Sequence, residues 1–164
     1  MAFKRSIATQ ALDVDDLAAF SCCTGADDPP WIREAENYIR VAALRHAGFV
    51  LAFRDDHGVL AAVSAFDLRD IHIPMSAPAP QPGWHLQVLA LATGYQGKEH
   101  SADIFMQTFD EMRAIASERV LVTANVHNQH AVSIAAAARV GLTYLLPKDE
   151  QYTVLLGEVP EPPS

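Results

Sequence analysis

Apolar and polar positions fall into two rhythms along the chain, and each change of rhythm marks an element. Phe3 to Thr9 predicts a first strand, and the run from Leu12 to Leu17 opens a helix with an Asp on hand as its N-cap. Asp27-Asp28-Pro29-Pro30 breaks the chain. Beyond it Ile32, Ala35, Ile39, Ala42 and Ala43 recur at helical spacing, giving a second helix that ends near Gly48. Gly48 to Phe53 and Val59 to Phe66 are apolar strands, and Arg54 to Gly58 between them predicts a hairpin. Ile73 to Gly83 holds four prolines and no period, so it reads as a loop within one domain. Trp84 to Ala92 is a strand running into the turn Thr93 to Lys98. A long helix follows from Ser101 to Ser117, its buried stripe formed by Ile104, Phe105, Phe109, Met112, Ile115 and Ala116. Val120 to Ala124 is a strand, Asn125 to Gln129 a polar bend, and His130 to Val140 a helix stopped by Gly141. Leu142 to Leu146 and Tyr152 to Leu156 are the last strands, before a loose tail from Glu158 to Ser164.

This order, without an internal repeat, predicts an α/β sheet with helices on both faces. The length of 164 residues suits one well-buried core, so 1–164 is expected to be a single domain. Its longest apolar runs, such as Ile134 to Ala138, are far too short to cross a bilayer, and no partnership with a membrane is expected. The start Met-Ala-Phe-Lys-Arg-Ser lacks a signal peptide's apolar stretch, so the expected location is the cytoplasm.

Charge narrows the function classes. Twelve Lys and Arg against 20 Asp and Glu leave a formal charge of −8, without the basic face of a nucleic-acid binder. Cys22 and Cys23 are adjacent, a poor arrangement for a disulfide, and read as two small apolar residues on a helix. No Cys-x-x-Cys or His-Glu-x-x-His occurs, so no metal is expected. Asp13, Asp15 and Asp16 read as capping and solvated residues, and Trp31 and Trp84 as packing anchors.

Chemistry concentrates between Leu86 and Met112, which reads strand, glycine-containing turn, helix. The first turn of such a helix offers backbone N–H groups and the positive end of a dipole, a site suited to a pyrophosphate. Within it, Leu89-Ala90-Leu91-Ala92-Thr93-Gly94-Tyr95-Gln96-Gly97-Lys98 resembles the fourth strand and pyrophosphate loop of the GNAT family of N-acetyltransferases. Val126-His127-Asn128-Gln129-His130-Ala131-Val132-Ser133, ending at Gly141-Leu142, resembles that family's later strand-to-helix segment at a fitting separation. Element order extends the likeness over nearly the whole chain, while specific residues carry it between Trp84 and Leu142.

The resemblance implies an α/β fold of the α+β type: a mixed, mostly antiparallel central sheet of about seven strands flanked by about four helices. It implies acetyl-CoA as cosubstrate, held by Leu91, Ala92, Thr93, Gln96, Gly97, Lys98, Glu99, His100 and Ser101, with His130 and Ser133 from the later segment. Leu91 lies where the family's splayed strand offers backbone groups to the pantetheine and the thioester carbonyl. The implied acceptor is a primary amine of a small molecule or peptide, and homodimers are common in such a family.

This chain departs from the pattern in places. The family's loop reads Gln/Arg-x-x-Gly-x-Gly/Ala, and Gln96 to Ser101 places Glu99 and Ser101 at the two small positions. Glu99 brings a carboxylate beside the expected pyrophosphate, which Lys98 offsets. His130 stands where an Asn is usual, and Ala137 where a tyrosine commonly protonates the leaving thiolate. Trp84-His85-Leu86-Gln87-Val88-Leu89-Ala90-Leu91 is similar to the His-Leu-His-Ala-Leu-Ala-Val strand of serotonin N-acetyltransferases, with Gln87 in the second histidine's place. That likeness makes His85 and Gln87 the catalytic candidates, His85 as a proton relay from an ammonium. A strand-edge histidine bonded to a backbone carbonyl is the alternative reading of His85. His127 and His130 read as solvated or helix-capping. Two functions stay open: an N-acetyltransferase working by direct transfer, or a catalytically degenerate acyl-CoA-binding regulatory or assembly domain. A nucleotide binder of the Rossmann kind is disfavoured, because no Gly-x-Gly-x-x-Gly opens a βαβ unit.

Overall fold

The strands and helices follow the expected order, with most corrections at their ends. The computed structural model describes residues 2–8, 11–72, 79–97, 100–117 and 121–159. Its elements are β1 (Lys4–Ile7), α1 (Ala11–Ala18), α2 (Pro30–Arg45), β2 (Phe49–Arg54), β3 (Leu60–Ile71) and β4 (Gln81–Leu91), then α3 (His100–Ile115), β5 (Leu121–His127), α4 (Ala131–Arg139), β6 (Tyr144–Pro147) and β7 (Tyr152–Glu158). The strands form one seven-stranded sheet in the order β1-β2-β3-β4-β5-β7-β6. β1/β2, β2/β3, β5/β7 and β6/β7 are antiparallel. β4/β5 is parallel, as a crossover through α3 requires. The fold is the mixed, mostly antiparallel sheet with helices that the resemblance implied.

The departures have local causes. The β2–β3 hairpin closes as expected: Gly58 turns at φ +80, and Asp55 Oδ1 accepts the His57 and Val59 N–H groups at 2.9 Å each. β3 runs on past Phe66 to Ile71, because the ladder continues where the apolar run stops. β4 starts at Gln81, so the end of the expected loop is strand, and residues 73–78 of that loop lie outside the described residues. Gly83 belongs there because a Cβ would meet the Leu121 carbonyl oxygen at 3.0 Å and Ile71 Cδ1 at 2.3 Å. The polar bend after Ala124 is also strand up to His127, since Asn125, Val126 and His127 pair with Val154, Thr153 and Tyr152.

α2 stops at Arg45 and not near Gly48. His46 turns extended (φ −75, ψ 126), and its ring then bridges the Tyr38 hydroxyl (2.5 Å) and the Phe66 carbonyl (3.0 Å). Cys22 and Cys23 are not helical; both lie in the segment joining α1 to α2, where Cys22 is buried and both are free thiols. Burial pushes the Cys22 thiol up to about 12. Asp13 is within the first turn of α1 and pairs with Arg54 at 3.0 Å. Glu158 closes β7 and Val159 is buried, so these two do not belong to a loose tail; residues 160–164 lie outside the described residues.

The chain divides into two compact units, Met1–Phe66 with Val88–Ile104, and Asp67–Gln87 with Phe105–Ser164. Leu17, Phe20, Cys22, Ile39, Ala42, Val50, Val63 and Ala65 form a buried cluster in the first. In the second, Trp84, Phe109, Met112, Leu142 and Leu155 are fully buried. A Cβ on Gly157 would lie 2.4 Å from the Gly141 carbonyl oxygen and 2.9 Å from Leu142 Cδ2. Gly157→Ala is therefore expected to cost about 2–3 kcal/mol by overpacking against backbone. Gly25→Ala, with nothing within 4 Å of its Cβ, is the neutral control. Urea midpoints measure both, and equal midpoints would refute the steric account.

Candidate functional site

Among the described residues β4 pairs in register with β5 from Trp84 to Leu86, and β4 itself continues to Leu91. On the other side Ala92 N–H donates to the Ala61 carbonyl at 2.8 Å, which fixes the end of the strand. A single 3-10 turn follows at Thr93–Tyr95, then extended Gln96, then Gly97 at φ +71. A left-handed position there favours glycine. The expected site residues Leu91, Ala92, Thr93, Gln96, Gly97, His100 and Ser101 thus lie consecutively along one strand end, one turn and one helix start of the first unit. Lys98 and Glu99 lie outside the described residues.

This turn is held by side chains from the same unit. Tyr95 donates its hydroxyl to Asp55 Oδ2 at 2.6 Å, and that bond first, with the Val59 and His57 amides, holds the Asp55 carboxyl below the usual range against desolvation. The Phe3 ring meets Tyr95 and His100 edge-on at 6.2 and 5.1 Å. Gln96 Nε2 donates to the Leu91 carbonyl at 3.1 Å and to the Cys22 carbonyl at 2.7 Å. Of these, Tyr95 lies inside the Leu89 to Lys98 motif, whereas no local sequence signal marks Asp55 or Phe3 as its partners.

The second unit gathers a different cluster. His85 and Gln87 point from the same face of β4, and a Gln87 side-chain bond acts on His85. His85 is 6% exposed, and its Nδ1 lies 3.0 Å from the Thr123 hydroxyl. Its partner is therefore a side chain on β5, and β4 is an interior strand, so the strand-edge reading with a backbone carbonyl does not hold. Arg69 joins the cluster from the extended part of β3, clasping Asp67 through Nε (2.5 Å) and Nη2 (2.7 Å), with Nη2 3.4 Å from Gln87 Oε1. Burial, then the nearby Arg69 charge, push the His85 imidazole down to about 4. Asp67, Arg69 and Thr123 were missed; the alternation Asp67-x-Arg69, read as strand, would have placed both on one face.

His130 takes the N-cap position of α4 without a capping bond from its side chain, and its Nε2 lies 3.3 Å from Ser133 Oγ. Burial, then His127, lower its pKa. Ala137, one helical turn beyond Ser133, is 1% exposed. Among the described residues no group of three or more His, Cys, Asp or Glu is placed to hold a metal, and no helix is long and apolar enough to cross a membrane.

No protein-family model matches the sequence, and no curated protein matches it. Solved structures do. A structure described as a bacterial toxin superposes with a TM-score of 0.71 at 15% identity, covering 96% of this chain and 91% of the other. A protein of Desulfovibrio desulfuricans described as a GNAT-family acetyltransferase gives 0.66 at 14%, covering 97% and 100%. The AtaT toxin, solved with acetyl-CoA and the C-terminus of the antitoxin AtaR, gives 0.65 at 13%, covering 96% and 93%. The chain has the fold of GNAT acetyltransferases.

Proposed function

We propose that the chain is a GNAT-type N-acetyltransferase that moves the acetyl group of acetyl-CoA directly to a primary amine of a small molecule or peptide. The observation that carries this reading is the run Leu91 to Ser101. On the fold of acetyltransferases, it joins a strand end outside the β5 register, a left-handed Gly97 and the start of a 16-residue helix. The N–H groups of that first turn, with Ser101, suit a diphosphate. The backbone of β4 near Leu91 is the surface for the pantetheine arm and for polarising an acyl carbonyl. Acetyl-CoA supplies the activated thioester; the chain supplies position and dipoles. His85, held neutral at physiological pH, serves as an acceptor for a passing proton and not as a stored charge, and Gln87 orients it. His130 and Ser133 lie on the face of α4 that carries Ala137.

The second reading, an acyl-CoA-binding regulatory or assembly domain, is favoured by one specific feature. Buried Ala137 has no group to protonate a leaving thiolate. Both readings predict binding, by mass action on the native state. Acetyl-CoA at 100 times its Kd is expected to stabilise by about 2.7 kcal/mol, raising Tm by roughly 5–10 °C. NAD and ATP are expected to leave Tm in place. A flat response to acyl-CoAs would sink both readings. Stabilisation without thiol release across a broad panel of amines would leave the binding domain.

A further inference from the structure

Glu36 is 7% exposed on α2, and its carboxylate faces the segment that joins α1 to α2. Oε2 accepts the Ser21 hydroxyl at 3.0 Å, the Cys22 N–H at 2.9 Å and the Cys23 N–H at 3.0 Å. Oε1 pairs with Arg40 at 2.6 Å, and Arg40 Nε in turn donates to the Phe20 carbonyl at 3.0 Å. The same short segment turns its carbonyls towards the 3-10 turn. Ser21 O accepts the Thr93 N–H at 3.0 Å and its hydroxyl at 3.2 Å; Cys23 O accepts that hydroxyl at 3.0 Å; Cys22 O accepts Gln96 Nε2 at 2.7 Å. Gln96 continues the path to the Leu91 carbonyl. All these groups belong to one compact unit.

We propose that Glu36 is a positioning residue for the coenzyme turn, acting through Ser21, Cys22 and Cys23 on Thr93, Gln96 and Leu91; this rests on the coenzyme reading of Leu91 to Ser101. A tripeptide gripped by its N–H groups on one side and its carbonyls on the other passes on any displacement of either grip. Hydrogen-bonded peptide groups also polarise one another, so a carboxylate on the N–H side strengthens the carbonyls opposite. The turn is thereby ordered before ligand arrives, and affinity gains from ordering that need not occur on binding. Glu36→Gln keeps the length but has one acceptor oxygen and one N–H₂, so a donor faces either the Arg40 guanidinium or the Ser21, Cys22 and Cys23 donors, and the carboxylate charge that polarises the tripeptide is lost.

A merely structural Glu36 would change Tm and nothing at the turn. Hydrogen exchange of ligand-free protein separates the two roles. In Glu36→Gln the Thr93 amide is expected to exchange about tenfold faster, while the His46 amide, bonded to Ala42 at the far end of α2, keeps its rate. Kinetics with acetyl-CoA should show KM raised about tenfold with kcat within about twofold. Ser21→Ala, which removes one donor and leaves the fold intact, is expected to move both readouts the same way by about threefold. Unchanged Thr93 exchange, or an unchanged KM beside a lowered Tm, overturns the proposal. Wild-type protein that fails to bind acetyl-CoA overturns the coenzyme reading and this proposal with it; wild type that binds while both variants bind equally well overturns Glu36 alone.

Discussion

Replacing Ser101 by glutamate is expected to weaken acetyl-CoA binding at least about a hundredfold, or about 2.7 kcal/mol, while leaving thermal stability unchanged or slightly higher. Ser101 is in the first turn of α3, where N–H groups lack intrahelical acceptors. A carboxylate there is favourable for the helix itself, by about 0.3–1 kcal/mol, and Asp103 already occupies the same turn. A diphosphate bound to that first turn would meet a like charge, and two unit charges about 5 Å apart repel by roughly 3 kcal/mol at an effective dielectric of about 20. Binding and stability thus move apart, which unfolding cannot mimic. Isothermal titration and a melting curve on the same sample give both numbers, and Ser101→Ala, expected within about threefold of wild type, controls for the lost hydroxyl. Undiminished affinity in Ser101→Glu would place the coenzyme elsewhere or nowhere.

Such a prediction is possible because the segment around Ser101 was legible in the sequence. An apolar stripe identifies α3, and the turn before it needs Gly97, a residue whose conformational freedom shows in its type. The ends of β3, β4 and β5 were not legible. Asp67, Arg69, Asn125 and His127 are polar, and composition assigns polar runs to loops, whereas the ladder is satisfied by backbone whatever the side chain. The partners of the site were hidden for another reason. Glu36 and Ser21 are 15 residues apart, and Tyr95 and Asp55 are 40 apart, so no local pattern announces either bond. Residue type makes Cys22 and Cys23 packing residues on a helix; their backbone N–H groups, invisible to side-chain patterning, are what the fold uses. His85 shows the same limit: the sequence offered its imidazole as a relay, and only burial reveals what that imidazole does as pH changes.

Between pH 6.5 and 4, His85 is expected to remove about 3 kcal/mol of stability, the second large effect. The native imidazole titrates near 4 because burial disfavours its cation, and Arg69 and Lys148 add to that; Asp67 and the Gln87 bond oppose it without prevailing. In the unfolded chain the same ring titrates near 6.5. Throughout that window the unfolded state takes up a proton that the native state refuses, so stability falls as pH falls and is restored above 6.5. Carboxylates held low in the native state, such as Asp55 by Tyr95, act in the same direction, but only below their unfolded pKa near 4. His85→Gln should therefore flatten the slope from pH 6.5 to 4.5 and leave the steeper loss below it. Urea unfolding at pH 7, 6, 5 and 4 resolves the two regions, and parallel curves for wild type and variant would overturn the assignment. The same depression has a catalytic corollary. If His85 receives the proton of the amine, it does so as a ring already neutral at pH 6, so kcat/KM should show no inflection near 6.5 that His85→Gln removes. An inflection there, lost in the variant, would mean that the ring titrates in the free enzyme at its ordinary value and that the buried geometry opens before substrate is bound.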